Sequence, residues 1–415
     1  MKDLIKSIIK DFHKRGLPQF IERNIEIPFE SGKVISLIGP RRAGKTYMMY
    51  QIMSGVKDIT NIVYINFEDE RLEISANDLN LIIEAFFELY PGKKEKDIFF
   101  FFDEIQEVKG WEKFIRRIYD SINKNIFVTG SSAKLLSKEI ATSLRGRTIS
   151  YEVFPLSFKE FLMFKKVEPD IHSTKGKAAV FSSFMEFMKR GGFPEIIGMN
   201  KEIAEKTLNT YFEVMLYRDI AERYEVQNIT PLKIFLKRLL ANSSKEFTIH
   251  KIFNNLKSEG IKVSKDSIYK YLEYCSDAYL LFSLSNFSES GHNQITKKAY
   301  SVDVGLSQML SFSLSKDLGR ILENIVLLEL KREGKEIFYH KMNFECDFII
   351  KEREKVIRAV QVCYSLNEEN RERELKGLME AMKRFNLKSG LIITMEQDEQ
   401  IGNIRVVPAV KWLLS

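Results

Sequence analysis

Where the apolar run KVISLIG gives way to the helical pattern Thr46–Met53, the chain reads Gly39-Pro40-Arg41-Arg42-Ala43-Gly44-Lys45-Thr46. This octapeptide restricts the fold more than any other stretch. It fits G-x-x-x-x-G-K-[ST] and stands between a strand and a helix, the context that marks a phosphate-binding loop. Glycines let the backbone curl so that successive N–H groups and the helix N-terminus face an anion. All eight residues are therefore candidate nucleotide contacts. Lys45 is expected to reach the β and γ oxygens of ATP, and Thr46 to offer its hydroxyl to Mg²⁺. The bland alternative is a glycine-rich turn before a helix.

The pattern around the loop predicts what carries it. KVISLIG, Thr46–Met53, NIVYINF, Leu79–Leu89, DIFFFFDE, Trp111–Ile122 and NIFVTGSS alternate between strand and helix, which predicts a parallel sheet covered by helices on both faces. Ile98–Phe102 is too apolar for a solvated strand, and it delivers Asp103 and Glu104 at its carboxyl end. Asp103 is assigned to the Mg²⁺ shell and Glu104 to polarising the attacking water, because phosphoryl transfer needs positioning and charge. Thr129 stands at the next strand end, where a polar residue senses the γ-phosphate. Asn66 and Glu68 end NIVYINFEDE and are candidates to bind Glu104 or its water; the alternative is a cap. Arg145 and Arg147 flank Gly146, a design suited to reaching the nucleotide of a neighbouring subunit in a homo-oligomer; the bland alternative is a surface arginine pair. Arg218-Asp219 reads as a sensor contact or as an intrahelical surface pair.

The remainder of the chain changes pattern twice. From Phe158 to about Tyr224 it is wholly helical, which predicts a lid or connector. From Pro231 the order is LKIFLKRLLANS, TIHKIFNNLKSEG, VSKDSIYKYLEYCSDAYL and then the strands LLFSLSNF and KKAYSVD. Helix, turn, helix and hairpin in that order predict a winged helix, with Ser264 as an N-cap. A compact α/β module follows from about Asp317. The expected divisions are a core at 1–157, a helical lid at 158–228, a winged helix at 229–315 and a terminal module at 316–415.

Composition excludes several classes. The three cysteines among 415 residues, Cys275, Cys346 and Cys363, are too few and too scattered for a disulfide framework or a CxxC metal site. The amino terminus MKDLIKSIIKDFHKRG reads as a basic amphipathic helix and lacks the features of a signal peptide, and no stretch reaches membrane-spanning length. A cytoplasmic protein with no membrane contact is expected. Lys and Arg exceed Asp and Glu by 64 to 57, a formal +7, which permits an anionic partner but is diluted over a large surface.

IGPRRAGKT, YINFED, FFFDEIQ, VTGSSAKLLS, SLRGRTISYEVFPLSFKEFL, YRDIAERY, KKAYSVDVGL, LENIVLLEL and CDFIIK together resemble the archaeal and bacterial AAA-type P-loop ATPases whose carboxy-terminal domain was long catalogued as of unknown function. The resemblance spans nearly the whole chain from about Asn24. It implies an α/β fold with a RecA-like, AAA+ core, a helical lid, a winged helix and a terminal module similar to restriction-endonuclease-like, PD-(D/E)XK nucleases. A nuclease of that kind needs carboxylates for Mg²⁺ and a lysine. Glu323 and Asp347 supply acids, but Gln361 replaces an acid and Cys363 stands at the lysine position, with Lys351 as a candidate substitute. The module therefore reads as degenerate, retained for docking or DNA contact through Lys341, Lys351 and Arg358.

Three functions compete on this reading. The first is an ATPase that couples hydrolysis to DNA binding or remodelling, with His250, Lys262, Lys265, Tyr269 and Lys270 around the recognition helix as its contacts; Glu259, Asp266 and Glu273 dilute that patch. The second is a nucleotide-controlled switch or scaffold for a protein partner. The third, an ATP-gated metal-dependent nuclease, is disfavoured by Gln361 and Cys363.

Overall fold

The computed structural model describes residues 1–29, 31–131, 144, 146–287, 296–311 and 317–415. They fall into two compact units, Met1–Val153 and Phe154–Ser415. The first contains α1 (Lys2–Arg15), β1 (Val34–Ile38), α2 (Lys45–Met53), β2 (Ile62–Asn66), α3 (Asn80–Leu89), β3 (Phe99–Asp103), α4 (Glu112–Ser121), β4 (Ile126–Gly130) and β5 (Thr148–Glu152). The strands form one parallel sheet in the order β2-β3-β4-β1-β5. β4 thus stands between β1 and β3, the added strand of the expected core. β1 and β4 are buried at every position, which is why their sequences run apolar without alternation.

Helix α1 shows what becomes of the basic amino terminus. Its stripe Ile5, Ile9 and Phe12 is buried, while Lys2 and Lys6 pair with Glu84 and Glu88 of α3. The polar face is therefore balanced within the unit, as in an ordinary covering helix.

The second unit opens with α5 (Phe158–Phe164), α6 (Thr174–Arg190) and α7 (Lys201–Val214), the last running on into a π-helical segment, Met215–Glu222. Asp219 is buried there, so Arg218-Asp219 is not a surface pair. Next come α8 (Ile229–Ala241), β6 (Glu246–Thr248), α9 (Ile249–Ser258), α10 (Lys265–Asp277), β7 (Leu281–Ser285) and β8 (Thr296–Ser301). These three strands form an antiparallel sheet in the order β6-β8-β7. Ser264 caps α10 by accepting the Ser267 N–H at 3.0 Å, as its sequence position predicts.

The chain ends with α11 (Val304–Leu310), α12 (Leu318–Arg332), β9 (Glu336–Lys341), β10 (Glu345–Glu352), β11 (Lys355–Val362), α13 (Arg371–Arg384), β12 (Gly390–Thr394), β13 (Glu399–Ile401), β14 (Ile404–Pro408) and α14 (Ala409–Leu413). Here the sheet is six-stranded, β13-β14-β12-β11-β10-β9. Packing crosses the expected divisions: Phe158, Phe161, Phe184 and Phe187 of α5 and α6 share one core with Tyr300, Leu322, Val326, Phe348, Val360, Ile393 and Leu413.

Helix α13 lies unusually close to the sheet at Gly377, where an added Cβ would stand 2.0 Å from the Glu345 carbonyl oxygen. Intrinsic propensity favours Ala over Gly inside a helix by about 1 kcal/mol. Gly377→Ala is nevertheless expected to destabilise by about 1–3 kcal/mol, because the clash is with backbone that cannot step aside. Urea unfolding of the variant, monitored by circular dichroism, checks the sign.

Candidate active site

The phosphate-loop segment is shaped by two glycines. Gly44 sits at φ +96°, a left-handed conformation, and at Gly39 an added Cβ would meet the Val153 carbonyl oxygen at 2.2 Å. Arg23, unremarked in the sequence reading, is buried and donates from Nη1 to the Ala43 carbonyl at 2.9 Å. Gln51 of α2 clamps the Arg23 backbone from both sides, accepting its N–H at 2.7 Å and donating to its carbonyl at 3.1 Å. The loop crest is thus tied to the amino-terminal segment and to its own helix.

The polar side chains converge on the carboxyl ends of β1, β3 and β4. Lys45 is buried, donates from Nζ to the carbonyls of Gly39 and Pro40 at 3.2 and 3.1 Å, and lies 3.5 Å from Glu104 Oε1. Thr46 Oγ1 donates to Asp103 Oδ2 at 2.7 Å, and Tyr64 of β2 donates to the same oxygen at 3.2 Å. Thr129 donates to Asp103 Oδ1 at 2.5 Å while accepting the Glu104 N–H at 2.8 Å. One threonine hydroxyl therefore positions both acids. Tyr64 hides in sequence because a tyrosine within an apolar strand reads as core.

Glu104 occupies the left-handed region at φ +50°, a strained conformation for a residue with a side chain and a recurrent feature of functional sites. Its Oε2 accepts from Gln106 Nε2 at 2.6 Å. Burial pushes the Glu104 carboxyl up, but Lys45, Gln106 and Arg41 outweigh it and hold the group below the usual glutamate range. Asp103 is pushed above its usual range, by burial first and by the Glu104 charge second, against the opposing hydrogen bonds from Thr129 and Thr46. Environment thus separates two adjacent carboxylates.

The other candidates are placed as follows. Asn66 accepts the Glu68 N–H at 2.9 Å and Glu68 pairs with Arg41 at 2.7 Å, while Gln106 donates to Glu104 at 2.6 Å. Arg147 is paired with Asp120 at 3.1 Å and its guanidinium lies 5.7 Å from the Tyr119 ring centroid. Arg145 lies outside the described residues. Pro40, Arg41, Arg42 and Ala43 form the crest, with Arg42 at φ +64°. The donor set fits the expected cofactors: a helix N-terminus and a buried ammonium suit phosphate, and a threonine hydroxyl beside an aspartate offers the hard oxygens Mg²⁺ prefers.

Three basic residues expected to be available in the terminal module are already paired. Lys351 pairs with Glu336 at 3.0 Å, Lys341 with Glu246 at 2.6 Å, and Arg358 with Glu333. Lys351 also follows a register shift in β10 and does not substitute at the acid pair Glu323 and Asp347, which instead both contact Lys298. Burial raises the Cys363 thiol to about 12. On α9, α10 and the turn between them, His250, Lys262, Lys265, Tyr269 and Lys270 are all exposed. Among the described residues no group of three or more His, Cys, Asp or Glu forms a metal-holding cluster, and no helix is long and apolar enough to cross a membrane.

Residues 31–162 match a family model described as an AAA domain, and residues 182–317 match one described as a domain of unknown function. An uncharacterised protein of Methanocaldococcus jannaschii is 43% identical over 95% of this chain and 91% of its own length. One from Haemophilus influenzae is 33% identical over 92% of this chain and 94% of its own. Among solved structures, a Walker-type ATPase of Pyrococcus abyssi is similar with a TM-score of 0.42 and 17% identity, covering 67% of this chain and 90% of that one.

Thr129→Val keeps the shape of the side chain but removes the hydroxyl that serves Asp103 Oδ1 and the Glu104 N–H, while Thr46 and Tyr64 still serve Asp103 Oδ2. The variant is expected to lose about 1–3 kcal/mol of stability and roughly 10- to 100-fold in ATP turnover, the usual cost of removing a group that orients a metal ligand. Thermal melting and a phosphate-release assay on the same preparation read both effects; wild-type turnover would remove Thr129 from the site.

Proposed function

We propose, since the chain belongs to the same family as the Methanocaldococcus jannaschii and Haemophilus influenzae proteins and carries an AAA domain, that it hydrolyses ATP with Mg²⁺ and couples the cycle to DNA. The first unit is an AAA-type P-loop ATPase domain with a parallel-sheet core. The observation that carries the reading is a single polar chain, Lys45 to Glu104 to Thr129 to Asp103 to Thr46, joining three strand ends.

In this reading the backbone N–H groups of residues 41–45 and the Lys45 ammonium cradle the phosphates, and Lys45 balances charge on the γ oxygens. Thr46 and Asp103 hold Mg²⁺, which supplies charge neutralisation on the phosphate oxygens when bound. Glu104, kept ionised by its cationic neighbours, orients the attacking water and accepts its proton. Gln106 and Thr129 fix where that carboxylate and its backbone stand.

The DNA half of the proposal rests on the second unit. The order α8, β6, α9, α10, β7, β8 with the β6-β8-β7 sheet supports a winged helix within 229–315. Its exposed Lys262, Lys265 and Lys270 suit phosphates, and Tyr269 suits stacking. The terminal module takes part by contact and not by cleavage. A homo-oligomer in which Arg145 or Arg147 reaches the neighbouring nucleotide belongs to the same reading, and needs Arg147 to leave Asp120. The pairing of Lys341, Lys351 and Arg358 with acids favours the second reading, a nucleotide-controlled switch for a protein partner, because it removes phosphate contacts from the terminal module.

Lys45→Ala is expected to abolish turnover by weakening ATP binding, and Glu104→Gln to bind ATP but fail to release phosphate. Turnover measured with single-stranded, duplex and branched DNA separates the two readings: stimulation supports the DNA-coupled ATPase, and indifference to all three supports the switch. Replacing both Lys265 and Lys270 by Glu is expected to weaken DNA binding uniformly across sequences and to lower the salt slope by about one per lysine, as a filter-binding titration at several ionic strengths would show.

A further inference from the structure

Lys298 stands at the centre of a buried group of charges in the second unit. It is 2% exposed, and its Nζ lies 3.1 Å from Glu323 Oε1, 3.0 Å from Asp347 Oδ1 and 2.7 Å from Glu345 Oε1. The cation comes from β8, Glu323 from α12, and Glu345 and Asp347 from the start of β10. An ammonium has three N–H donors, and here it has three carboxylate partners. Two further donors join them: Tyr300, two residues along β8, donates to Glu323 Oε1 at 2.7 Å, and the Val362 N–H donates to Asp347 Oδ2 at 3.0 Å. Lys341 Nζ lies 3.1 Å from Glu345 Oε2.

A nuclease-type centre would place Mg²⁺ at the focus of Glu323 and Asp347, with oxygens at about 2.0–2.1 Å. The residues present do not fit that ion. The focus is held by a nitrogen of the protein itself, and an ammonium and a metal ion exclude each other from one such space. Gln361 faces elsewhere, accepting the Asp347 N–H at 3.2 Å and donating to Glu374 at 2.6 Å. We propose that Lys298 is a built-in cation that takes the place of a metal ion in the terminal module, so that the carboxylates of a nuclease-type centre serve instead as a charge-paired joint fastening β8 to β10 and α12.

The inference rests on the reading of this module as non-cleaving, and the two fail separately. Cleavage of DNA by the wild-type chain would sink that reading, whereas occupancy of the joint is measured without DNA. The joint also predicts its own cost of failure: removing one partner of a buried charge pair strands the others, whereas removing all of them together does not.

The test is a Mn²⁺ titration of the full chain followed by the electron paramagnetic resonance of the free ion, with Asp103→Asn present throughout so that the nucleotide site does not contribute. No Mn²⁺ site that depends on Asp347 is expected with Lys298 in place. Lys298→Ser is expected to gain one bound Mn²⁺ per chain, lost again when Asp347→Asn is added. A Mn²⁺ site in the Lys298 chain that Asp347→Asn abolishes would overturn the proposal. Melting supplies the second readout. Lys298→Met is expected to lower the unfolding midpoint sharply, and adding Glu323→Gln with Asp347→Asn to restore most of the loss. An unshifted midpoint in Lys298→Met would count equally against a joint. If Lys298→Ser does not fold, the titration of the Lys298-containing chain decides alone.

Discussion

The nucleotide site depends on keeping one buried carboxylate in place. Asp103 ends a strand of phenylalanines, and water cannot solvate it there; three hydroxyls, from Thr46, Tyr64 and Thr129, do so instead. Each of those hydroxyls belongs to a different element, so satisfying one acid draws α2, β2 and β4 to the same point. The order β2-β3-β4-β1-β5 makes this geometry available, because it puts β4 between the strand that carries the acid and the strand that carries the loop. Packing brings these elements together, and the need to satisfy one buried carboxylate fixes which side chains meet at the sheet's carboxyl edge.

The parts of the site legible in sequence are those where backbone geometry demands a residue type at a fixed offset. Gly39 and Gly44 are of this kind, as are Lys45 and Thr46 at the helix start and the two acids after an apolar strand. Arg23, Tyr64 and Gln106 carry no such offset. Arg23 acts across twenty positions on the Ala43 carbonyl, and Tyr64 is one aromatic among many. Gln106 lies only two residues past Glu104, yet its role appears only because Glu104 turns left-handed and brings the two side chains together. Sequence offers Asn66 and Glu68 for Glu104 or its water, since a strand end beside the acid is what the pattern shows when the turn is not known.

The second unit was legible as elements and less so as an assembly. Helices α8, α9 and α10 and strands β7 and β8 fall where periodicity and the Ser264 cap place them, whereas the three-residue β6 has no counterpart in the sequence pattern. β13, β14 and α14 were missed, because three- and five-residue segments leave too little pattern to read. Lys298 was missed for another reason: in KKAYSVD a lysine looks like the solvated side of a strand, and its three acid partners lie 25 to 49 residues further on. The faint signal is that Lys298 and Tyr300 share a face, and on that face a tyrosine is buried.

The core shared by α5, α6 and the terminal sheet has a consequence for the order in which the chain can mature. The first unit is contiguous and complete by Val153, so it can close as soon as it is synthesised. Phe158, Phe161, Phe184 and Phe187 leave the ribosome next, but partners such as Phe348, Ile393 and Leu413 are made last. These aromatics pack on one another, but at ~5–20 residues per second they wait roughly ten to fifty seconds for those later partners. A nascent chain of this kind carries a contiguous first unit followed by an apolar surface that later-made segments cover.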